Sequence, residues 1–353
     1  MPSTHPCETS LIHTTRRRVL RATLAVVCII SSIARTSAAT EWVSPIDTKY
    51  STKNPELFKK VSRAHEIIDA WMGNPEGFDE AYQLLDAVIK SDPTFAPAYP
   101  EISRFLIVSG GRDRSLTFGS ETIFSPEQAL TKVIEMEPDY ADAYVLLGHV
   151  YTNSRRFEDA KIALAKAEKI GTSIPWLPIN RATLLVREKK YDEALELYQR
   201  VVDSNTRNRK ALSAALDEIA DVLRKMKQYP RANTAYQRAI AYEPRSAWKR
   251  GNYSEFLLYE FNEVDGAIKN ARKALELMDY GVGRFALAAA LYTKWAQLER
   301  DNADSVESQK YFREASALYP QVDQVIRRTE KYEYTKITAQ ALRKMKDRDA
   351  KKP

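Results

Sequence analysis

Three pairs of adjacent carboxylic acids, Asp79-Glu80, Glu158-Asp159 and Asp192-Glu193, are the first places where this chain could hold acid–base chemistry. Two carboxyls in unlike environments can divide the roles of proton donor and acceptor. These pairs, however, sit in one recurring phrase: Phe78-Asp79-Glu80-Ala81, Phe157-Glu158-Asp159-Ala160 and Tyr191-Asp192-Glu193-Ala194. Acids in the first turn of a helix complement the positive end of its dipole, and that structural role accounts for all three. His65 and His149 stand in different units without an adjacent ligand pair, and Ser109-Gly110-Gly111-Arg112 lacks the Lys-Ser/Thr of a phosphate-binding loop. No nucleophile, base and orienting group can be assembled. The sequence therefore predicts no catalytic residue, no metal site and no cofactor.

The phrase itself is the stronger signal. Tyr229-Pro230-Arg231-Ala232 and Val264-Asp265-Gly266-Ala267 continue it, with steps of 79, 34, 38 and 35 residues between leading positions. The first step equals two 34-residue periods plus 11. In the clearest copy, Tyr144, Leu147, Gly148 and Tyr151 share one face of a first helix, and Ala160, Leu164 and Ala167 one face of a second. Small residues at Gly148, Ala160 and Ala167 let the two axes approach closely. Pro93, Pro138, Pro244 and Pro320 close four units. A period of this length means stacked helical hairpins whose core forms between neighbours.

These residues resemble the tetratricopeptide repeat, most fully over residues 141–174 and in all over 57–320. The resemblance implies an all-α fold: a right-handed α-α superhelical solenoid of about seven helix-turn-helix units, starting near Ser62, Ala96, Ala141, Pro175, Ser213, Trp248 and Tyr280. In this family, fixed positions of each first helix face the concave side. Counting them here selects Asp142, Val145, His149 and Asn153; Trp176, Ile179, Thr183 and Arg187; Asp217, Asp221 and Arg224; and Lys249, Asn252, Phe256 and Tyr259. Apolar anchors beside single charges suit a peptide or helix of another protein, with Trp176, Phe256 and Tyr259 expected to face solvent in the empty groove. Val145 and His149 stand where the carboxylate clamp of some members has Lys and Asn, so capture of a chaperone tail is not expected.

The first 38 residues follow another pattern. Arg16, Arg17, Arg18 and Arg21 precede a short apolar stretch, Ala22 to Ala34, and Thr36-Ser37-Ala38 supplies small residues for a signal peptidase. Residues 1–38 are expected to be an export signal, too short in its apolar part for a comfortable membrane span. Thr15-Arg16-Arg17-Arg18-Val19-Leu20-Arg21 resembles the twin-arginine motif, although an ordinary basic leader accounts for the same residues. An uncleaved anchor is the alternative to cleavage. Cys7 and Cys28 both lie in this leader, leaving a mature chain without thiols or disulfides.

Charge sharpens the functional reading. Five arginines and one glutamate give the leader +4 of the formal +7, and six basic and two acidic residues from Arg343 to Pro353 contribute another +4. The repeat body is thus near −1, which argues against nucleic acid as a partner and leaves membrane contact only to an uncleaved leader or weakly to the tail. Residues 39–56 read as an extended lead-in, and 321–353 as a capping helix and basic tail. Residues 107–125 extend the second unit by 11, with Arg112, Arg114, Phe118 and Phe124 as candidate contacts of a surface loop. The resulting expectation is a non-enzymatic exported adaptor or scaffold, periplasmic or secreted, in a setting such as envelope assembly or secretion. The alternative is an extracytoplasmic peptide- or glycan-binding or enzyme-accessory protein.

Overall fold

A computed structural model describes residues 42–70, 75–110, 116–123, 125–204, 206–301 and 305–350. The leader with its two cysteines, residues 39–41, Arg112, Arg114, Phe124 and the last three residues lie outside the described residues. After a short α1 (Pro45–Lys53), seven helical hairpins follow. Their first helices are α2 (Pro55–Ala70), α4 (Ala98–Val108), α6 (Ala141–Asn153), α8 (Trp176–Arg187), α10 (Arg209–Lys225), α12 (Ala247–Tyr259) and α14 (Gly281–Asp301). Their partners are α3 (Pro75–Ser91), α5 (Pro126–Met136), α7 (Phe157–Ile170), α9 (Tyr191–Asp203), α11 (Tyr229–Tyr242), α13 (Val264–Leu277) and α15 (Val306–Leu318). The fold is an all-α solenoid, as the period predicts.

Small residues do what their spacing implies. Ala81, Ala129, Ala160, Ala194, Ala232, Ala267 and Ala315, one from each second helix, are fully buried. A Cβ added to Gly148 would lie 2.5 Å from Leu164 Cδ2, so α6 and α7 approach along a line only glycine permits. The turns repeat as well. Arg155, Lys189, Lys227 and Asn262 have φ between 59° and 64°, and each stands two residues before its second helix. The N–H groups of Arg156, Lys190 and Gln228 then donate to Tyr151, Leu185 and Leu223, each at 2.9 Å. This is the Schellman closure of a helix C-terminus, made here with non-glycine residues in the left-handed region. Two of the three acid pairs, Glu158-Asp159 and Asp192-Glu193, lie in first turns as the dipole argument expects, whereas α3 begins at Pro75 and leaves Asp79-Glu80 in its second turn; Asp159 accepts from Arg156 Nε at 2.6 Å and Glu158 from Lys161 at 2.8 Å.

Three expectations are corrected. The extension of the second unit is not a free contact loop: Leu116–Phe118 and Glu121–Ile123 form an antiparallel hairpin, β1 and β2, with Leu116 paired to Ile123. Phe118 is fully buried, its ring 5.1 Å from Tyr82 and 6.2 Å from Phe105. At the hairpin tip Gly119 (φ 61°) donates to Asp86 at 2.8 Å, and its Cα lies so close to α3 that an added Cβ would sit 2.9 Å from Lys90 N. The lead-in is also partly helical. Ser44 caps α1 by accepting from Ile46 and Asp47, and Pro45 fits the first turn. Finally, the capping helix is broken in two, α16 (Val322–Thr329) and α17 (Lys336–Ala350), joined through a 3-10 turn. α17 folds back on α14, where Thr338 donates to Thr293 at 2.9 Å and Ala339 and Leu342 are buried.

Candidate functional site in the concave face

The first helices of units one to five converge on a concave cavity of about 450 Å³. α2 contributes His65 and Asp69, α4 Glu101 and Arg104, α6 Asp142, Val145 and His149, and α8 Trp176 and Asn180. Asp47 of α1, Tyr140 before α6, and Asn208 and Lys210 at the start of α10 complete the wall. Spacings of three and four residues place each set on one helix face.

At one end the charges neutralise one another. Arg104 binds Asp69 through Nη2 and Glu101 through Nη1 at 3.1 Å, Lys210 lies 3.3 Å from Asp69, and His65 Nδ1 lies 2.9 Å from Glu101. Burial pushes Glu101 and Asp69 toward protonation, but Arg104 and His65, with Lys210 at Asp69, outweigh it and hold both below the ordinary carboxylate range. Burial likewise opposes the charged form of His65, yet Glu101 and Asp69 hold its pKa above the ordinary imidazole value. The same nitrogen lies 2.5 Å from Arg104 Nη1. Protonated, it donates to Glu101; unprotonated, it accepts from Arg104.

The other end is different. Asp142 accepts from Trp42 Nε1 at 3.0 Å and from Thr172 Oγ1 at 3.1 Å, and Asp47 accepts from the Tyr140 hydroxyl. Among the described residues neither carboxylate has a cation within ion-pair distance. Burial, with Asp142 and Glu101 nearby, pushes Asp47 up to about 6 against the hydrogen bond from Tyr140. Burial raises Asp142 as well, and it lowers His149.

Four of the residues that the repeat pattern selects meet here: Asp142, Val145, His149 and Trp176. Val145 lines the wall but is itself buried. Asn153 is exposed and lies 2.9 Å from His149 Nε2, and Arg187 is exposed at the end of α8. Ile179, Thr183, Asp217, Asp221, Arg224 and Lys249 are internal braces. Ile179 is buried and Thr183 bonds its carbonyl and the Tyr198 hydroxyl. Lys249 is 5% exposed and its ammonium is held by Asp217 and Ser213 O, while Asp221 accepts from Tyr236 at 2.6 Å. Arg224 reaches Glu260 at 2.9 Å. Asn252 is exposed.

Phe256 and Tyr259 contradict the expectation of open anchors. They are 1% and 3% exposed. Phe256 packs on Tyr236 and Phe261, with ring centroids 5.1 and 5.3 Å away, and Tyr332 stacks on Tyr259 at 4.6 Å beneath the Arg328 guanidinium. The folded-back C-terminal segment covers the inner face at unit six, so its aromatics belong to the core. Conversely, His65, Asp69, Glu101, Arg104, Asn180 and Lys210 were not selected. The spacing of His65 and Asp69, and of Glu101 and Arg104, is the signal that marks charged faces on the first helices of units one and two.

Among the described residues no cluster of metal-ligating side chains occurs and no helix is long and apolar enough to cross a membrane. Two tetratricopeptide-repeat profiles match the chain, over residues 141–170 and 173–242. Comparison with curated proteins returned no match. Solved structures share the fold. The anaphase-promoting-complex hetero-tetramer Cut9-Hcn1 aligns with 70% of this chain at 16% identity and a TM-score of 0.54, the alignment spanning 45% of the Cut9-Hcn1 chain. A monomeric IFIT1 mutant bound to Gppp-AAAA aligns with 73% of the chain and 59% of its own length, at 13% identity and a TM-score of 0.52. A tetratricopeptide repeat protein from Parabacteroides merdae aligns with 81% and 99%, at 11% identity and a TM-score of 0.43. The chain thus carries tetratricopeptide repeats, matched over residues 141–170 and 173–242, in an all-α solenoid.

Proposed function

We propose that this chain is a non-enzymatic, exported adaptor that holds a peptide or helix of another protein in the concave cavity. One observation carries the reading. Five consecutive units surround about 450 Å³ in which Asp47 and Asp142 are half-buried with no cation among the described residues within ion-pair distance, and Trp176 forms a partly buried aromatic wall. A lysine or arginine side chain of a partner supplies the missing charge, and the ring supplies a surface for its aliphatic stem. The paired cluster of Asp69, Glu101 and Arg104 frames that opening with fixed hydrogen-bonding groups.

The leader supports an extracytoplasmic setting, with envelope assembly or secretion as its natural context. Intact-mass analysis of fractionated cells tests it. A mature chain beginning near Ala39 or Thr40 outside the cytosol is expected, and the full chain from Met1 in the cytosol overturns the assignment. Binding is tested by selecting peptides from a displayed random library on the full chain. Enrichment of sequences with a basic residue, lost on Asp142→Asn with Trp176→Ala, is expected. Enrichment that is indifferent to both substitutions refutes the cavity as the binding face.

A further inference from the structure

Residues 42–53 cross the solenoid as a strap. Tyr50 packs edge-on against Phe95 at the first inter-unit junction, with a centroid distance of 5.1 Å, and its hydroxyl lies 2.9 Å from Glu137 at the second, where Lys49 also bonds Glu137 at 2.6 Å. Farther toward the N-terminus, Asp47 takes the Tyr140 hydroxyl and Trp42 donates to both oxygens of Asp142 at 3.0 Å. The strap therefore touches the two loops that join units one to three and ends on a carboxylate of the concave cavity. Its helix is short and buries one residue, Tyr50, so it stays in place through these polar contacts more than through a core of its own.

We infer that this strap is a detachable latch on the concave cavity, held more firmly in mildly acidic than in neutral solution through the half-buried carboxyl of Asp47. Docking carries Asp47 into a half-buried position facing Tyr140 and Asp142 of the third unit, Glu101 of α4 and His65 of α2. Burial and the two carboxylates disfavour its charge, while the Tyr140 hydrogen bond and His65 favour it more weakly, so the docked carboxyl is raised from 3.8 to about 6. A carboxyl whose pKa is higher docked than free takes up a proton on docking. Docking is then strongest below the free value and weakens as pH rises through the docked one. Between pH 7.5 and 5 these two values correspond to an about tenfold stronger latch. Asp142 acts through its charge, which helps to raise Asp47; its own carboxyl is raised by burial against the hydrogen bonds from the strap's Trp42 and from Thr172. The latch is a property of the unliganded chain. Its consequence, an inner face that opens as pH rises, rests on the cavity being the binding face.

The test is hydrogen exchange of the full chain at pH 5.0 and 7.5, with protection factors normalised to intrinsic rates, and needs no partner. The strap reporters are the Thr48 and Asn54 amides, which donate to Ser44 and Tyr50 carbonyls at 3.0 and 2.9 Å. About tenfold greater protection at the lower pH is expected, with no such change at core amides of α8 and a flattened dependence in Asp47→Asn. Equal strap protection at both pH values overturns the latch, as does an undiminished pH dependence in Asp47→Asn. Asp142→Asn, which keeps an acceptor for Trp42, is the second variant, and it too should reduce the pH dependence. A dependence left intact by both substitutions assigns the effect to other groups and sinks the proposal.

Discussion

Removing the Arg104 guanidinium should destabilise the protein in a manner that depends on pH, and the structure sets both the size and the sign. The group is about one-quarter exposed and bonds two carboxylates, Asp69 and Glu101, which are 26% and 11% exposed. Stranding a fully buried charge costs about 3–5 kcal/mol, but Lys210 remains 3.3 Å from Asp69 and His65 2.9 Å from Glu101, which brings the expectation for Arg104→Met to about 2–3 kcal/mol at pH 7. Asp69 and Glu101 have depressed pKa values in the folded chain. The stability they contribute is present above their unfolded values and is lost as pH falls through the folded ones. Arg104→Met removes the chief cause of the depression, so its cost should shrink as pH is lowered toward 4. Urea unfolding of parent and variant from pH 4 to 8 reads this directly. Arg63→Met, which breaks exposed contacts to Glu66 and Glu80, should change little at any pH. A cost for Arg104→Met that is constant across this range, or no larger than that of Arg63→Met, would refute the electrostatic account of the cavity.

Two further predictions concern the repeat itself. Ala160→Leu and Ala194→Leu insert volume at fully buried helix contacts and should each cost about 1–3 kcal/mol, whereas the exposed Lys169→Ala should cost little; equal melting temperatures would contradict the packing described. Lys189→Gly relieves a left-handed residue at φ 64° and should stabilise by up to about 1 kcal/mol, measured as a rise in the urea midpoint at unchanged slope; a fall of the midpoint would show that the turn draws more from the lysine side chain than from its backbone.

The solenoid was legible because its rule is local and repeated. An alanine at the fourth position of five second helices, a glycine opposite Leu164 in the third unit and turns of three or four residues state the packing. The inner face was legible only where the same local rule holds, at Asp142, Val145, His149 and Trp176. It failed at Tyr259 because Tyr332 and Arg328, about 70 residues away, fold back over it, and at Phe256 because Tyr236 and Phe261 enclose its ring. It missed Asp47 for the same reason in reverse: the partner Tyr140 is 93 residues distant, and the nine-residue helix that carries Asp47 shows no period of its own. The hairpin Leu116–Ile123 escaped because three-residue strands give no alternation, although Gly119 at its tip was visible.

The most direct test of the central claim is the affinity of a library-selected basic peptide for four chains at two salt concentrations: the parent, Trp176→Ala, Asp142→Asn and a truncation ending at Lys346. If the concave cavity is the binding face, Trp176→Ala weakens binding by about 30-fold or more, corresponding to about 2 kcal/mol for a buried aromatic anchor, Asp142→Asn weakens it measurably, and truncation leaves it unchanged. Binding that survives both cavity substitutions, but disappears on truncation with a steep salt dependence, would contradict the account and move recognition to the basic tail.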